Sequence, residues 1–425
     1  MKKFLRKHTP SFLVSLYHLA WAFLSALRYG FPGYGMTVIG VTGTNGKSTT
    51  VDMLSRILLA GGKKTASLSS IRFQIGKREW RNTMKMTMPG RFVIQKFLRQ
   101  AKKEGCGFVV LEVTSEGILQ HRHRFIPFYG AVFTNLSPEH IERHGSFENY
   151  RKAKGALFKA ARGFHAVNGD DEHASFFLGF QARKKIVYSA KKEGEASIRA
   201  ADIVAGQNGA AFIADGVKVS LRLLGEFNVY NALAAIAAAR ELGVSLETAR
   251  QALEGVSKVP GRMEEVISSP IRVIVDYAFT PAALKQVYQS LKTVSHSRSG
   301  QAIRKLICVL GGTGGGRDAW KRPVLGAIAS EWCDHIIVTN EDPYEEDPQK
   351  IIDEVADGTG GKAIKILDRR EAIASALDIA TPGDTVVITG KGSEDSIAVA
   401  GGKKISWDDR VVAREEFEKR KTGRG

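Results

Sequence analysis

Short apolar runs alternate with longer segments of helical spacing along the first half of this chain. Thr37 to Val41 is such a run, and the helical segment Thr49 to Leu59 follows it. Phe108 to Val113 is apolar almost throughout, which is typical of a strand in a parallel sheet that is covered on both faces. The other elements predicted in this half are short strands at Ala131 to Thr134 and His165 to Asn168, an alternating strand at Val217 to Leu223 and an alanine-rich helix at Asn228 to Glu241.

A break at Val259-Pro260-Gly261-Arg262 separates this series from a second one. The alternation of strands and helices is typical of α/β folds with parallel sheets. The pattern predicts an α/β fold with a central domain over residues 37–258, built on a mostly parallel sheet, and a C-terminal Rossmann-like domain over residues 259–425. The predicted elements of the second series are the strands Arg272 to Asp276, Lys305 to Leu310, His335 to Thr339 and Thr385 to Thr389, the helices Pro281 to Leu291 and Trp320 to Ser330, and a surface loop at Ser295 to Gln301.

Residues 1–36 form a separate region with a basic start and an apolar continuation. Met1 to His8 contains four Lys and Arg residues, and Phe12 to Leu27 is mostly apolar. This segment of 16 residues is shorter than the about 20 that a spanning helix needs. No small-residue cleavage site of a signal peptide follows it. Two interpretations remain, an interfacial helix on anionic lipid or a helix packed on the following domain, and packing is favoured because buried helices of this length are common.

A glycine-rich loop lies between the first predicted strand and its helix. Thr42 to Thr49 reads T-G-T-N-G-K-S-T. In such a P-loop the backbone N–H groups and the helix N-terminus bind phosphate, the lysine reaches the terminal phosphates and the serine can hold Mg²⁺. The predicted nucleotide-binding residues are Gly43, Thr44, Asn45, Gly46, Lys47, Ser48 and Thr49, with Lys47 also catalytic and Ser48 also a metal ligand.

The composition narrows the class of protein only a little. A hydrophobic content of 43% in 425 residues indicates folded domains rather than disorder. The excess of 18 positive charges suits polyanionic substrates, anionic lipid or nucleic acid, and nucleic acid ranks low because no basic strand with interleaved aromatic residues occurs. Cys106, Cys308 and Cys333 lack metal-ligand spacing, and their odd number suits separate buried thiols in a reducing cytoplasm.

Polar residues near other predicted strand ends favour the same edge of the sheet. Glu112 ends a buried strand, where α/β proteins bind ligands, and its carboxylate suits Mg²⁺. His140 follows the strand that ends at Thr134, and Lys154 lies on a helix after it. Each of these residues alone is compatible with an ordinary structural role.

Ten motifs, in order over residues 37–415, give the chain a resemblance to the Mur ligases. Within that family it resembles the MurE-type ligases, which add the third residue of a muramoyl peptide. The motifs are T-G-T-N-G-K-S-T, E-V-T-S (Glu112 to Ser115), T-N-L-S-P-E-H (Thr134 to His140), Y-R-K-A-K-G-A-L-F (Tyr150 to Phe158), G-E-F-N-V-Y-N-A-L-A-A (Gly225 to Ala235), V-P-G-R-M-E (Val259 to Glu264), D-Y-A-F-T-P (Asp276 to Pro281), G-G-G-R-D-A-W-K-R-P (Gly314 to Pro323), G-K-G-S-E (Gly390 to Glu394) and D-D-R (Asp408 to Arg410).

The resemblance implies ATP-dependent amide formation through an acyl phosphate, in the synthesis of peptidoglycan precursors. It implies that two Mg²⁺ ions are held by Ser48, Glu112, His140 and a carbamylated Lys154, and that His140 and Lys154 are catalytic together with Lys47. The nucleotide would further contact Asn228 and Asn231 on its adenine side and Arg262 and Asp276 from the C-terminal domain. The substrate-binding residues would be Thr87, Ser115, Arg317, Asp342 and Glu394.

The sequence departs from the MurE pattern at several places. Only 36 residues precede the first strand, where these ligases usually carry a UDP-binding domain, so the acceptor is expected to be a UDP-linked or a lipid-linked muramoyl peptide. Diaminopimelate-adding members show D-N-P-R where this chain has Glu341-Asp342-Pro343-Tyr344. Without that arginine we expect lysine or another amine that lacks the second carboxylate. Phe279 and Ser393 replace two histidines of the family pattern.

Three alternatives fit less well. A folylpolyglutamate synthase shares the two-domain core but usually has G-T-N-G-K-G-S, whereas Ser48 directly follows Lys47 here. A MurT-type subunit acting on a lipid-linked muropeptide normally has four zinc-ribbon cysteines, and a non-enzymatic scaffold would leave Glu112, His140 and Lys154 idle. We expect a cytoplasmic monomer that uses ATP, Mg²⁺, a muramoyl peptide and an amino acid, and whose contact with a membrane would be through residues 1–30.

Overall fold

The computed structural model of the chain describes residues 10–191, 196–293 and 304–423. The strands in these ranges form an eleven-stranded sheet, a six-stranded sheet and a separate hairpin. We call the first sheet with its helices the eleven-stranded unit and the second sheet with its helices the six-stranded unit. The surface loop predicted at residues 295–301 lies outside the described residues.

The central part of the eleven-stranded unit alternates strands and helices, as predicted, whereas the strands at residues 65–81 and 184–214 were not predicted. Its strands are β1 Thr37–Thr42, β2 Thr65–Leu68, β3 Arg72–Ile75, β4 Arg78–Arg81, β5 Phe108–Glu112, β6 Phe128–Phe133, β7 Phe164–Asn168, β8 Lys184–Ser189, β9 Ile198–Gly206, β10 Gly209–Ala214 and β11 Val217–Leu221. Its helices are α1 Ser11–Arg28, α2 Lys47–Ala60, α3 Arg91–Lys103, α4 Ser115–Leu119, α5 Ile141–His144, α6 Phe147–Ala160, α7 Ala174–Leu178, α8 Phe227–Glu241 and α9 Leu246–Glu254.

The order of strands in this sheet is β11-β10-β9-β8-β7-β6-β1-β5-β2-β3-β4. The pairs from β9 through β2 are parallel, and the antiparallel hairpins β2-β3-β4 and β9-β10-β11 extend the two edges. Strands β1 and β5 lie in the middle and are buried almost throughout, as their unbroken apolar runs predict. The mostly parallel α/β sheet is thereby confirmed.

The alanine-rich helix α8 lies against α2, the helix that follows the glycine-rich loop. Small side chains let two helices approach closely, because interaxial distance depends on the residues at the contact. Six of its alanines are fully buried: Ala232, Ala234, Ala235, Ala237, Ala238 and Ala239.

The six-stranded unit has the order β12-β13-β17-β14-β15-β16, in which only β12 runs antiparallel to its neighbour. Its strands are β12 Glu264–Ile267, β13 Arg272–Val275, β14 Leu306–Leu310, β15 His335–Thr339, β16 Ala363–Ile366 and β17 Thr385–Ile388. Its helices are α10 Pro281–Thr293, α11 Lys321–Trp332, α12 Pro348–Asp357, α13 Arg369–Ile379 and α14 Asp409–Lys421.

The second series does not end at the strand predicted for Thr385 to Thr389. A hairpin of β18 Ser396–Val399 and β19 Lys403–Ser406 follows, with a short 3₁₀ turn at Ala400–Gly402, and then α14. All four residues of β19 are exposed, so no alternation of polar and apolar positions indicates a strand there.

Helix α1 is confirmed over the predicted apolar segment and packs on α3. Ser15 Oγ lies 2.7 Å from His121 Nε2, Arg91 donates to His18 Nδ1 at 2.8 Å, and Ala26 is fully buried. Of the helices in the described ranges, none combines the length and apolarity that crossing a bilayer requires. The outer surface of α1 nevertheless exposes large apolar side chains, namely Phe12, Leu13, Leu16, Tyr17, Trp21, Phe23, Leu24 and Leu27.

The cysteines correct one expectation. Cys308 on β14 and Cys333 after α11 form a disulfide, although 25 positions separate them in the sequence, whereas Cys106 is a free buried thiol. The expectation of three separate thiols is therefore wrong. The end of α11 returns to the strand that precedes it, a proximity that cysteine spacing alone does not show. The cysteine count consequently carries no argument for a reducing compartment.

Candidate active site

A cavity of about 730 Å³ lies where the two units meet. It opens at the carboxyl ends of parallel strands of the larger sheet, where α/β proteins bind ligands. Asn228 and Asp342 stand behind its wall, each bonded to a lining residue, Asn231 and Lys85 respectively. The predicted site residues that line the cavity are Gly43, Thr44, Asn45, Gly46, Lys47, Ser48, Thr49, Thr87, Glu112, Ser115, His140, Lys154, Asn231, Arg262, Asp276, Arg317 and Glu394.

Two glycines shape the loop between β1 and α2. Gly43 has a φ of +154°, and a Cβ added there would lie 1.9 Å from Thr134 Oγ1. Gly46 caps α2 with a φ of +80°, and a Cβ there would lie 2.2 Å from Asn231 Oδ1. Glycine is therefore required at both positions for steric reasons. The resulting tight loop leads directly into the N-terminus of α2, an arrangement that binds phosphate.

Lys47, Ser48 and Glu112 meet at the floor of the cavity. Lys47 Nζ donates to the Thr44 carbonyl at 2.8 Å and lies 3.9 Å from Glu112 Oε1. Glu112 Oε2 accepts from Ser48 Oγ at 2.9 Å and from the Ser70 N–H at 2.8 Å. Burial lowers the pKa of Lys47, an effect that the negative charge of Glu112 opposes. A cation, a hydroxyl and a carboxylate thus lie beside the phosphate loop.

Lys154 is buried beside the same loop. Its Nζ donates to the Gly43 carbonyl at 2.7 Å and lies 4.5 Å from the ring centre of Tyr150. Burial, followed by the nearby positive charge of Lys47, holds the pKa of Lys154 well below its usual value, while Glu112 acts in the opposite direction. A lowered pKa increases the fraction of neutral amine near pH 7, and the neutral amine is the nucleophilic form.

His140 lies where the two units touch. Its backbone N–H donates to Asp318 Oδ2 of the six-stranded unit. Beside it, Glu139 Oε1 pairs with Lys321 Nζ at 2.8 Å, and each side chain is 3% exposed. Burial, followed by the positive charge of Lys154, lowers the pKa of His140 to about 3. The imidazole is therefore neutral at physiological pH, the form that can ligate a metal.

The donor set around this point fits Mg²⁺. Glu139, His140 and Asp318 offer ligand atoms within 4.8 Å of one another. Glu139 Oε2 is buried and has no hydrogen-bond partner among the described residues. When Ser48 and Glu112 beside the phosphate loop are included, most of the candidate ligand atoms are oxygens, which Mg²⁺ prefers. Glu139 and Asp318 were not among the ligands predicted from the sequence.

The two asparagines predicted to contact the adenine side of the nucleotide lie on α8. Asn231 Nδ2 donates to Asn228 Oδ1 at 2.9 Å, and Asn228 Nδ2 donates to the Leu224 carbonyl at 2.7 Å. Asn228 is thus committed to interactions within the protein and orients Asn231, which lines the cavity.

Arg262 and Asp276 reach the cavity from the six-stranded unit. The Arg262 guanidinium carbon lies 4.3 Å from the ring centre of Tyr277, and Nη2 donates to Ser70 Oγ at 3.4 Å. Asp276 accepts the N–H groups of Met263 and Ala278, both at 2.7 Å. Burial raises the pKa of Asp276, while the positive charge of Arg262 opposes that rise.

Charged residues of the six-stranded unit line the far end of the cavity. The Arg317 guanidinium carbon lies 5.1 Å from the ring centre of Tyr344, and its Nη2 donates to the tyrosine hydroxyl at 3.2 Å. Glu394 Oε1 accepts from the Tyr277 hydroxyl at 3.1 Å. A guanidinium binds carboxylates and a carboxylate binds ammonium groups, so this end can hold an amino acid.

Sequence reasoning missed several residues that the structure places in the site. Glu139, Asp318 and Lys321 stand inside the quoted motifs, so the signal was present although no role had been given to them. Ser70 and Lys85 lie between predicted elements, where no pattern pointed to them.

Known proteins match the chain along most of its length. The profile of the Mur ligase middle domain matches residues 41–239, and that of the Mur ligase, glutamate ligase domain matches residues 261–392. A UDP-N-acetylmuramyl-tripeptide synthetase of Roseiflexus sp. (strain RS-1) is 37% identical over 96% of this chain and 84% of its own. A UDP-N-acetylmuramoyl-L-alanyl-D-glutamate--2,6-diaminopimelate ligase of Geobacillus kaustophilus (strain HTA426) is 36% identical over 97% of this chain and 85% of its own.

Solved structures agree with these matches. A UDP-N-acetylmuramoyl-L-alanyl-D-glutamate--2,6-diaminopimelate ligase superposes with a TM-score of 0.61 at 31% identity, over 91% of this chain and 79% of that one. A folylpolyglutamate synthase of Mycobacterium tuberculosis shares the fold. It superposes with a TM-score of 0.72 at 19% identity, over 90% of this chain and 96% of that one. The chain therefore belongs to the Mur ligase family of ATP- and Mg²⁺-dependent ligases.

Proposed function

We propose that this ligase joins an amino acid to the carboxylate of a muramoyl peptide. The observation that carries the proposal is the shared cavity, which is lined by the phosphate loop and Lys154 from the eleven-stranded unit and by Arg317 and Glu394 from the six-stranded unit. Such a reaction must bring a nucleotide, a carboxylate and an amine into one place. The names of the similar proteins point to a UDP-linked muramoyl dipeptide as the acceptor.

The residues at the phosphate end suit transfer of the terminal phosphoryl group to the acceptor carboxylate. Gly43 to Thr49 would hold the phosphates, and Lys47 would offset the negative charge that gathers during transfer. Ser48, Glu112 and His140 would hold Mg²⁺, two ions in all, which when bound neutralise charge on the phosphoryl oxygens. The products of this half-reaction are ADP and an acyl phosphate.

Lys154 is proposed to carry a carbamate. Its neutral Nζ would attack CO₂, forming an N–C bond and losing a proton to solvent. The modification places a negative charge, instead of a neutral amine, beside the cation Lys47, which gives a favourable pair of opposite charges. The new carboxylate-like group would supply further oxygen ligands for Mg²⁺ beside Glu112.

The far end of the cavity suits the second half-reaction. Arg317 would bind the carboxylate of the incoming amino acid, and Glu394 would bind an ammonium group and fix its orientation. The buried pair of Glu139 and Lys321 closes the junction between the units. Exclusion of water there would protect the acyl phosphate from hydrolysis.

The choice of amino acid is proposed to be lysine or a similar diamino acid. Tyr344 occupies the position of the arginine in the D-N-P-R motif, and its hydroxyl and ring contact Arg317. A tyrosine hydroxyl offers no fixed fork of donors for the second carboxylate of diaminopimelate.

The proposal extends to the domains, the oligomeric state and the membrane contact of the chain. We propose a monomer whose domains comprise residues 1–36, 37–258 and 259–425, which agrees with the two separate sheets. Residues 1–30 are proposed to touch the membrane, supported by the apolar side chains that α1 exposes, among them Leu16 at 58% and Leu27 at 54%. Contact with a membrane would favour a lipid-linked acceptor over a UDP-linked one.

An ADP-release assay tests the function. The acceptors are UDP-muramoyl dipeptide, its lipid-linked form and pteroyl-glutamate, each supplied with lysine, diaminopimelate or glutamate. We expect ADP release that depends on a muramoyl acceptor and is greatest with lysine. Release with pteroyl-glutamate alone would replace the proposal with a folylpolyglutamate synthase, and diaminopimelate exceeding lysine would refute the choice of amino acid.

Liposome flotation tests the membrane contact. Wild-type protein is compared with a Leu16→Glu, Leu27→Glu variant on vesicles that contain anionic lipid. Leu367→Glu is the matched control, because Leu367 is similarly exposed, at 49%, on the six-stranded unit. We expect only the α1 variant to lose flotation, and equal flotation of all three proteins would contradict the proposal.

A further inference from the structure

One lysine of the eleven-stranded unit reaches into the charged end of the cavity. Lys85 follows β4, and its Nζ lies 3.2 Å from Asp342 Oδ1 and 3.4 Å from Glu394 Oε2, both of the six-stranded unit. Its side chain is only 10% exposed, and its backbone φ is +48°. Positive φ is uncommon for a residue other than glycine. The segment thus holds an ammonium group on two carboxylates across the junction.

The four directly paired side chains, Lys85, Lys391, Asp342 and Glu394, have balanced charges only when Lys85 is present. Asp342 and Glu394 also contact Lys391 Nζ, at 2.9 and 2.5 Å. Lys391 is fully buried and lies on the same unit as the two carboxylates, so it stays with them. Two anions and one cation leave a net charge of −1, which Lys85 from the other unit neutralises. A separation of the units would therefore leave an anionic pocket open.

We propose that Lys85 is a place-holder, whose ammonium fills a subsite for the side-chain ammonium of the incoming amino acid and leaves when that amino acid binds. This inference rests on the proposed function and names one residue that would set its specificity. A lysine substrate carries the same group on the same four-carbon stem. Glu394 is 21% exposed and lines the cavity, as does Lys85, whereas Asp342 lies behind Lys85 and would be uncovered when that lysine leaves.

The neighbouring groups make Lys85 displaceable. Burial and then the positive charge of Lys391 lower the pKa of Lys85, although Glu394 and Asp342 oppose the shift. Arg317 lies in the same cavity to receive the carboxylate of the substrate. An amino acid with a cationic side chain must compete with Lys85, whereas one with an apolar side chain gains nothing from the subsite.

Isothermal titration of the full-length protein with L-lysine and L-norleucine tests the proposal, because norleucine keeps the chain but lacks the ammonium. The variant is Lys85→Met. Arg81→Met is the matched control, since Arg81 crosses the same junction but bonds to Asp408, 3.3 Å away, and to the Ser393 carbonyl rather than to the two carboxylates. If Lys85 vacates the subsite in about a fifth of the molecules, its removal should tighten lysine binding about fivefold. Norleucine binding should be unchanged relative to Arg81→Met.

The outcomes separate this inference from the proposed function. Lysine binding to Lys85→Met that is equal to or weaker than in the wild type, or no lysine binding to either protein, would overturn the place-holder. If the wild type released no ADP with any acceptor, the proposed function would be overturned, whereas the lysine-binding result would be unaffected. Lys85→Gln provides a second variant if thermal unfolding shows that Lys85→Met is not folded.

Discussion

The two units each bury a lysine at the cavity, and the two lysines have opposite pKa shifts. Lys154 is 2% exposed and Lys391 is 0% exposed, so burial disfavours the charge of both. Lys154 bonds to a carbonyl and lies near the cation Lys47, and its pKa falls. Lys391 lies between Glu394 and Asp342, whose charges outweigh burial and raise its pKa. Burial lowers the pKa of both lysines, and the charges of their neighbours decide whether the net shift is downward or upward.

The opposite pKa shifts of Lys154 and Lys391 suit two different roles. Lys154 has a lowered pKa, which the proposed carbamylation requires, whereas Lys391 stays a cation that is paired with two carboxylates. Under the proposed function, a lysine would serve as a reagent in one unit and as a structural ion in the other.

The largest expected effect comes from Lys154→Ala, which should lower the rate of ADP formation about 10³-fold, because it removes groups that stabilise the transferring phosphate. Acetate or propionate at tens of millimolar should raise the rate of the variant about tenfold, since either acid supplies the missing carboxylate. Steady-state ADP release measures both effects. The same acids should not raise the rate of Lys391→Ala. A rate for Lys154→Ala within tenfold of wild type would contradict the different roles of the two lysines.

Lys391→Met should lower the free energy of unfolding by about 3 kcal/mol, because it leaves the buried Asp342 and the partly buried Glu394 with one cation from the other unit. Urea denaturation followed by circular dichroism measures the change. Adding Asp342→Asn to this variant should recover part of the loss, because it removes one uncompensated charge. A loss below about 1 kcal/mol would show that Lys391 is not a structural ion.

Asp342→Asn should raise the KM for lysine about tenfold, since it removes one of two charges that face an ammonium while keeping the shape of the side chain. The KM for ATP should stay near that of wild type, because Asp342 lies at the other end of the cavity. Steady-state kinetics with each substrate varied in turn distinguishes the two. Equal increases in both KM values would mean that the variant disturbs the whole junction.

The smallest effect is a change in the pH dependence of stability. The native pKa of Lys154 lies below the unfolded value near 10.5, so the unfolded chain binds more protons in between and stability rises with pH there, by at most about 1.4 kcal/mol per unit. Lys154→Met should lack this rise. Denaturation at several pH values between 7 and 10, in buffer free of CO₂, measures the slope. Parallel slopes for wild type and variant would contradict the lowered pKa.

The phosphate end could be predicted from sequence because its parts are contiguous or stand at the ends of apolar runs. Seven neighbouring residues form the loop, and Glu112 ends an unbroken strand. The central apolar strands β1 and β5 were recognised for the same reason, whereas β8, β9 and β10 were not predicted, and charged residues interrupt the apolar pattern of β8 and β9. The four-residue strands β2, β3 and β4 were missed, because so few residues give no reliable period and all of β4 is exposed.

The junction could not be predicted because it depends on pairs that are far apart in the chain. Glu139 and Lys321 are 182 positions apart, and Lys85 and Asp342 are 257 apart. The disulfide between Cys308 and Cys333 was missed for the same reason, since it requires the position of a helix end relative to a strand. Motifs identify which residues matter, whereas their partners follow only from the packing of the two units.

The alanine-rich helix limits how this protein can change over generations. Its six buried alanines lie on a helix that packs against both α2 and the strands β6 to β10, and Asn231 near its start lies where a side chain on Gly46 would be. Larger side chains in this packed contact would push apart the helix that begins at the phosphate loop and the helix that carries Asn228 and Asn231. Large residues in place of these alanines are therefore expected to displace parts of the site, although none of the alanines touches the cavity.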